Sequence, residues 1–317
     1  MGCGAIAGGF DADRSANDPV RTHAAAYLAN GGFQLAGCVD PDEGARRAFA
    51  ARWSVAASAP SIEEFAPGEF DVISICSPTW SHAGDVEAAL ELRPRLLFCE
   101  KPVTESVRAT EELVARCAAH GVLLGVNYTR RWAPDVVELA HGLRAGHWGA
   151  VRSAVGTYTK GVLHNGGHMV DLLQMLLGPL ELVATGMPVN DFWDDDPSVP
   201  AILRSGDGVS VQMALGDARD YALFEVVLTT ERGEIVMRDG GLSWTVRRPQ
   251  PSLAFAGYTT LGAPEHTSGR YYEAMPAAVT NIAAALDHGV ALASTGQSAL
   301  AAQRLCEQMR DASKYHA

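Results

Sequence analysis

Four short and almost unbroken apolar runs divide the first 128 residues: "LAGCVD" (35–40), "DVISICSP" (71–78), "RLLFCEKP" (95–102) and "GVLLGVNY" (121–128). Runs this continuously apolar fit strands covered on both faces, because a half-exposed strand would alternate apolar with polar residues. Helical patterns separate them. "PDEGARRAFAARW" begins at Pro41 and carries acids in its first turn, a helix-start signal. "SHAGDVEAALEL" and "TESVRATEELVARCAAH" follow, with Thr104 placed to cap the latter. Strand–helix alternation of this kind specifies an α/β fold with a doubly wound parallel sheet.

The pattern changes near Thr129. A helix (135–144), the strand "VRSAVGTYTKG" and the buried helix "GGHMVDLLQMLLG" come first. "GVSVQMAL", "YALFEVVLTT", "EIVMRD" and "LSWTVRR" then read as strands between Gly- and Asp-rich turns. That succession implies a C-terminal α+β domain on an open, antiparallel or mixed sheet. A long loop covers 248–269, and helices over 272–288 and about 297–312 close the chain. The expected domains are therefore 1–128 and 129–317, with the last helix free to return to the first. The acidic stretch "DFWDDDP" (191–197) reads as a solvated surface loop.

Charge narrows the function. The 317 residues carry a net charge of −12 and no Lys/Arg cluster, which argues against a nucleic-acid partner. No apolar run approaches the roughly 20 residues of a membrane span. The start lacks a basic segment leading into an apolar one, so no secretory leader is expected. "MGCGAI" puts Ile6 where a myristoylation signal needs Ser or Thr. Six cysteines occur without a CxxC pair, and Cys38, Cys76 and Cys99 fall in or at the end of apolar runs. They read as buried thiols of a cytoplasmic protein.

"GCGAIAGG" places Gly2, Gly4 and Ala7 in G-x-G-x-x-A register. The first Gly permits a tight turn, the second lets backbone approach a pyrophosphate, and the small third residue lets helix and strand pack closely. The phosphates would then lie on a helix N-terminus. Asp40, ending the next strand, suits the adenosine ribose hydroxyls and would repel a 2′-phosphate, which favours NAD over NADP. It also stands where it could cap the helix that starts at Pro41. The spacing exceeds the usual roughly 20 residues, and "GFDADRSANDP" accounts for the excess. Such a fingerprint follows a central strand, whereas only Met1 precedes Gly2; either the start is placed several residues late, which is the favoured expectation, or the chain builds the site without its usual first strand.

In a parallel sheet, ligands bind beyond the carboxyl ends of the strands. "CSPTWSH" (76–82) and Glu100-Lys101 both lie there and would line the nicotinamide end of a dinucleotide. A lysine between an apolar wall and a cationic nicotinamide would have a lowered pKa, suited to exchanging a carbinol proton. A second group is "YTKGVLHNGGHMVD", with His164, His168 and Asp171 at i, i+4 and i+7. A catalytic acid/base, a helix cap and a metal site compete here. Gly166-Gly167 argues against one helix through both histidines, and no further ligand set stands out; no metal is expected.

Together these residues resemble the Gfo/Idh/MocA family, the glucose–fructose oxidoreductase and inositol dehydrogenase group. The likeness runs nearly end to end. It includes G-C-G-A-I-A, V-D-P after the second strand, S-P-T-x-x-H, E-K-P at Glu100, Lys101 and Pro102, "NYTRRW", and G-x-H-x-x-D-x-x-x-x-L-x-G in "GGHMVDLLQMLLG". The resemblance implies an NAD-dependent dehydrogenase with a Rossmann domain and a sheet domain that serves as oligomer interface, in a homodimer or homotetramer. It interconverts a secondary alcohol and a ketone on a sugar, cyclitol or nucleotide-linked sugar; the alternative is a dinucleotide-binding regulator without turnover. It implies Lys101 at the reacting hydroxyl and His168 as main acid/base, with His164 second. A dinucleotide would be held by Gly2, Cys3, Gly4, Ala5, Ile6, Ala7, Asp40, Cys76, Ser77, Pro78, Thr79, His82, Glu100, Lys101 and Asn127. The substrate would meet Lys101, Thr129, Lys160, His164, Asn165 and His168. One departure matters. Many relatives have D-x-G-x-H, and here His164 stands in place of that Asp, so His164 with Asn165 and Lys160 could serve a different substrate group.

Overall fold

The structure, a computed structural model, describes residues 1–316. It divides into two compact units. The first comprises Met1–Trp132 and Tyr272–Leu300; the second starts with Ala133–Tyr271 and takes in the remainder of the last helix.

In the first unit, α1 (His23–Asn30), β1 (Gly37–Val39), α2 (Glu43–Trp53), β2 (Ala57–Ala59), β3 (Val72–Ile75), α3 (Thr79–Glu91), β4 (Leu96–Cys99), α4 (Val107–Ala119) and β5 (Leu123–Val126) alternate as expected. Strands β3, β4 and β5 pair in parallel with Ile75, Cys99 and Val126 in register. All four residues of β4 are buried, as a continuously apolar central strand must be. The dipeptide step from Cys99 to Glu100 is thus a step from core to strand end. Strands β1 and β2 form a separate parallel pair.

Between the two sheets the chain start acts as a bridge. The Met1 ammonium donates to Ser74 O (2.6 Å), Cys76 N donates to Met1 O (2.8 Å), and Gly2 N donates to Val39 O (2.9 Å). Below this bridge lies a cavity of about 450 Å³, lined among others by Cys38, Phe49, Phe65, Phe70, Val72 and Leu286.

Two local expectations change. The cap of α4 is Ser106, whose Oγ accepts from Ala109 N, while Thr104 instead donates to Ser106 O (2.8 Å) and meets Thr110 Oγ1 (2.8 Å). Ser106 is extended and immediately precedes helical backbone, which is what a cap needs. The helix expected directly behind the glycine fingerprint does not form at once. Residues 4–12 make turns and a short 3₁₀ segment, and α1 starts only at His23, capped by Thr22.

The second unit opens with α5 (Pro134–Arg144) and β6 (Val151–Tyr158), followed by α6 (Gly166–Leu177). Then come β7 (Leu180–Thr185), β8 (Ala201–Ser205), β9 (Ser210–Leu215), β10 (Phe224–Thr230), β11 (Gly233–Arg238), β12 (Ser243–Arg247), β13 (Pro249–Pro251), β14 (Thr259–Leu261) and β15 (Glu265–Ser268). Eight of these make one open sheet in the order β15-β12-β11-β10-β6-β9-β8-β7. Every pairing in it is antiparallel except β6 with β9. Strands β7 and β8 were not legible as strands. The stretch 248–269, expected as loop, holds the β13–β14 hairpin and the edge strand β15.

One face of the sheet carries the core: Val226, Leu228, Ile235 and Met237 are buried, and Met169 and Leu173 of α6 close over Gly156 of β6. A Cβ at Gly156 would lie 2.7 Å from the Met169 sulfur, so this glycine sets how closely α6 approaches the sheet. Helix α7 (Ala274–His288) belongs to the first unit; α8 (Gly296–Ser313) starts there, with Gly296 against Leu124 and Val114. Among the described residues no helix is long and apolar enough to cross a membrane.

Candidate active site

Within the first unit, register builds a row of polar residues at the strand ends. Glu100 N donates to Ile75 O (2.9 Å) and Asn127 N donates to Cys99 O (2.8 Å), so Cys76, Glu100 and Asn127 stand in a row just past the carboxyl ends of β3, β4 and β5. Such a row is where an open α/β sheet presents ligands.

Glu100 answers for the charge at the end of an apolar strand. Its Oε1 lies 3.0 Å from His23 Nε2 on α1 and accepts from Asn127 Nδ2 at 2.6 Å. The Glu100 side chain is 13% exposed and that of His23 3%. Burial alone would raise the carboxyl; the bonds from His23 and Asn127 and the charge of Lys101 hold it below its ordinary value. Burial likewise works against charge on His23, but Cys76 and Glu100 beside it prevail and bring the imidazole up to about 10. His23, on which sequence reasoning was silent, is therefore the cation that makes a buried Glu100 tolerable. Its other nitrogen faces Ser74 Oγ at 3.1 Å. Lys101 follows, half-buried, with a cis peptide to Pro102.

The neighbouring residues are held by the same row. Asn127 Oδ1 accepts from Thr129 Oγ1 (3.0 Å). His82 is buried, its Nε2 2.8 Å from Ser77 O and its Nδ1 3.0 Å from Pro102 O, so it ties two strand-end loops together. Ser77 donates to Asp85, as does Ser81 (2.8 Å). Pro78 precedes α3, and Thr79 is its first residue.

The glycine fingerprint fits a dinucleotide. Gly2 has φ +78°, and a Cβ there would lie 2.6 Å from Ser77 N, so only glycine lets this turn cross the end of β3. Gly4 has nothing within 4 Å of where a Cβ would be, leaving its backbone open to a pyrophosphate. Ala7 is buried, and Ala5 and Ile6 offer carbonyls to Phe10 N (2.9 Å) and His23 N (3.2 Å). Cys3 N donates to Asp40 Oδ2 (2.8 Å) and Asp42 N to Asp40 Oδ1 (2.9 Å), which fixes the Asp40 carboxylate at the end of β1. Helix α2 is capped by Asp42 and not by Asp40. All six cysteines are free thiols; Cys38 and Cys99 are buried, whereas Cys76 is half-buried in the strand-end row.

The two candidate histidines lie in the second unit. Strand β6 ends at Tyr158, Lys160 turns the chain with φ +66°, and 161–165 form one wide helical turn before α6. The two histidines thus lie on successive elements, His164 in the turn and His168 in α6. Asn165 stands at the N-cap position without a side-chain cap bond.

The acidic loop is where expectation and structure differ most. Phe192 and Trp193 are exposed, but Asp191 and Asp196 are buried. Asp191 accepts from Lys160 N (2.9 Å), Ala218 N (3.2 Å) and Ser198 Oγ (2.9 Å). Asp196 accepts from Leu163 N (2.9 Å) and His164 N (3.0 Å) and lies 2.7 Å from His164 Nδ1. The loop is therefore a clamp on 160–165, because backbone N–H groups of a tight turn need acceptors that the turn itself cannot supply. Nothing in the local pattern "DFWDDDP" distinguishes the two buried acids from Asp194 and Asp195, which stay outside. The Trp193 ring stacks on His164 (centroids 5.1 Å, 23°), and Lys160 Nζ lies 4.8 Å over the Phe192 ring.

Comparison with known proteins places this geometry. The Gfo/Idh/MocA family model, an oxidoreductase family with NAD-binding Rossmann fold, matches residues 16–128. An inositol 2-dehydrogenase of Rhizobium meliloti (strain 1021) is 25% identical over 331 aligned positions, covering 90% of this chain and 91% of that protein. Two solved structures share the fold: a levoglucosan dehydrogenase in complex with NADH and levoglucosan, and a 3-ketoreductase from Actinomadura kijaniata in complex with NADP. The first has a TM-score of 0.74 at 16% identity, over 93% of this chain and 94% of that one. The second has a TM-score of 0.76 at 17% identity, over 98% and 95%.

Proposed function

We propose that this chain, a member of the Gfo/Idh/MocA oxidoreductases by its Rossmann domain and its whole-length likeness to an inositol dehydrogenase, is an NAD-dependent dehydrogenase of a sugar, cyclitol or nucleotide-linked sugar. The observation that carries the reading is the Glu100–Lys101 pair at the end of β4, in the strand-end row that continues from the glycine turn. A bound NAD would supply the acceptor for the hydride that leaves the carbinol carbon.

The chain's own groups do the rest. Gly2 to Ala7 and Asp40 would hold the pyrophosphate and ribose, and Asp40 would disfavour a 2′-phosphate. Glu100, fixed by His23 and Asn127, keeps negative charge beside Lys101. Lys101 holds the substrate oxygen and stabilises the charge that develops on it as its proton leaves. An imidazole from the turn and helix after β6, His168 or His164, takes that proton. Thr129, Lys160 and Asn165 complete the substrate's surroundings. Assembly through the open sheet, and a place in the cytoplasm, belong to the same reading.

Calorimetric titration with NAD(H) and NADP(H), followed by NADH formation from myo-inositol and a panel of pyranoses, tests it. Tighter NAD binding and turnover of a polyol are expected. Binding without turnover of any polyol would favour a regulator, and no binding of either cofactor would overturn the reading altogether. Gel filtration with light scattering checks the expected dimer or tetramer.

A further inference from the structure

The proposed dehydrogenase needs one nitrogen that exchanges a proton, and the surroundings of His164 suit that task. His164 has a buried carboxylate on its ring: Asp196 Oδ2 lies 2.7 Å from Nδ1, the Asp196 side chain is 3% exposed, and the His164 side chain is 37% exposed. The carboxylate is seated by construction. It also accepts from the backbone of Leu163 and His164. Gly161, at φ +80°, leaves the room it occupies, since a Cβ there would lie 2.1 Å from Asp196 Oδ2. Trp193 stacks on a face of the imidazole.

We propose that Asp196 is a positioning residue that receives the Nδ1–H of His164, so that Nε2 of His164 is the base that takes the substrate's hydroxyl proton. A carboxylate on Nδ1 selects the tautomer with a free lone pair on Nε2 and balances the imidazolium that forms. In the oxidation the O–H bond breaks toward Nε2, a C=O bond forms at the carbinol, and the hydride passes to the bound dinucleotide; reduction runs the same steps backwards. Asp196 thereby supplies, from a loop over 30 residues downstream, the carboxylate that the local D-x-G-x-H pattern lacks. This inference rests on the dehydrogenase reading for the proton's destination, but not for the existence of the pair.

The test uses the full chain labelled with ¹⁵N-histidine, as wild type, Asp196→Asn, His164→Gln and the double variant. A downfield Nδ1–H resonance, lost in His164→Gln, is expected in wild type and should disappear in Asp196→Asn. NAD affinity by calorimetry should stay within about twofold throughout, since the first unit is untouched. With NAD and whichever cyclitol or pyranose of the panel wild type oxidises, Asp196→Asn should lower kcat about 10²- to 10⁴-fold with KM nearly unchanged. The double variant should be no slower than His164→Gln. Added imidazole should restore part of the turnover to a His164→Ala variant. A resonance that survives Asp196→Asn, or full turnover in that variant, overturns the inference. If wild type oxidises nothing in the panel, it is the dehydrogenase reading that fails, and the resonance alone decides the pair.

Discussion

Two of the molecule's carboxylate–imidazole pairs are opposites. In the first unit Glu100 meets His23, both side chains nearly covered, and each ring nitrogen of His23 already faces a partner, Glu100 on one side and Ser74 on the other. In the second unit Asp196 is covered but His164 is more than one-third exposed, and its Nδ1 alone is engaged by Asp196. The chemistry of the side chains is the same. What differs is whether a nitrogen remains for a substrate: the first pair can only hold a strand end in place, whereas the second can exchange a proton. An acid and a histidine in contact do not by themselves indicate catalysis; the unengaged nitrogen does.

That contrast can be broken from the chemistry outward. The largest effect is expected at Lys101, which the first pair positions. Lys101→Met should lose about 10³-fold or more of turnover while NAD affinity stays near wild type, and unchanged turnover would remove Lys101 from the mechanism. Next, Glu100→Ala strips a buried cation of its partner and should cost about 3–5 kcal/mol in denaturant unfolding. A loss below about 1 kcal/mol would show that the pair is not structural.

The pH dependence sharpens the same point. His23 rises from 6.5 to about 10 on folding, so its contribution is fully present below pH 6.5 and is lost as pH climbs toward 10. The stability gap between wild type and His23→Gln should therefore narrow across that window, and a constant gap from pH 6 to 10 would contradict the ion pair. For the cofactor, Asp40→Ser should shift relative affinity toward NADP about tenfold, as removal of an acid from the ribose site predicts. The smallest effect belongs to the helix cap: Ser106→Ala should cost about 1 kcal/mol in denaturant unfolding, and an unchanged stability would remove Ser106 as the cap of α4.

Much of this was legible in residues. The four apolar runs located β1, β3, β4 and β5 because a strand buried on both faces must be apolar at every position. β2 was missed because "ASA" carries no such signal, and β7 and β8 because Val183 and Ile202 put apolar side chains at exposed positions and blur the alternation. Lys101 could be singled out because a charged pair after a core strand is unusual in any fold. His23 and Asp196 could not. Each is remote in sequence from the group it serves, and neither sits in a motif.

The sequence by itself therefore determined the class of fold, the strand ends at which chemistry could occur, and the glycines that a close turn requires, since these follow from periodicity and from backbone sterics. Only the tertiary structure decided which acids are solvated and which are clamps, and which histidine nitrogen is spoken for. Those depend on groups brought within 3 Å across 77 residues in one unit and 32 in the other, and the free energy of a buried charge is set by such neighbours rather than by the residue that carries it.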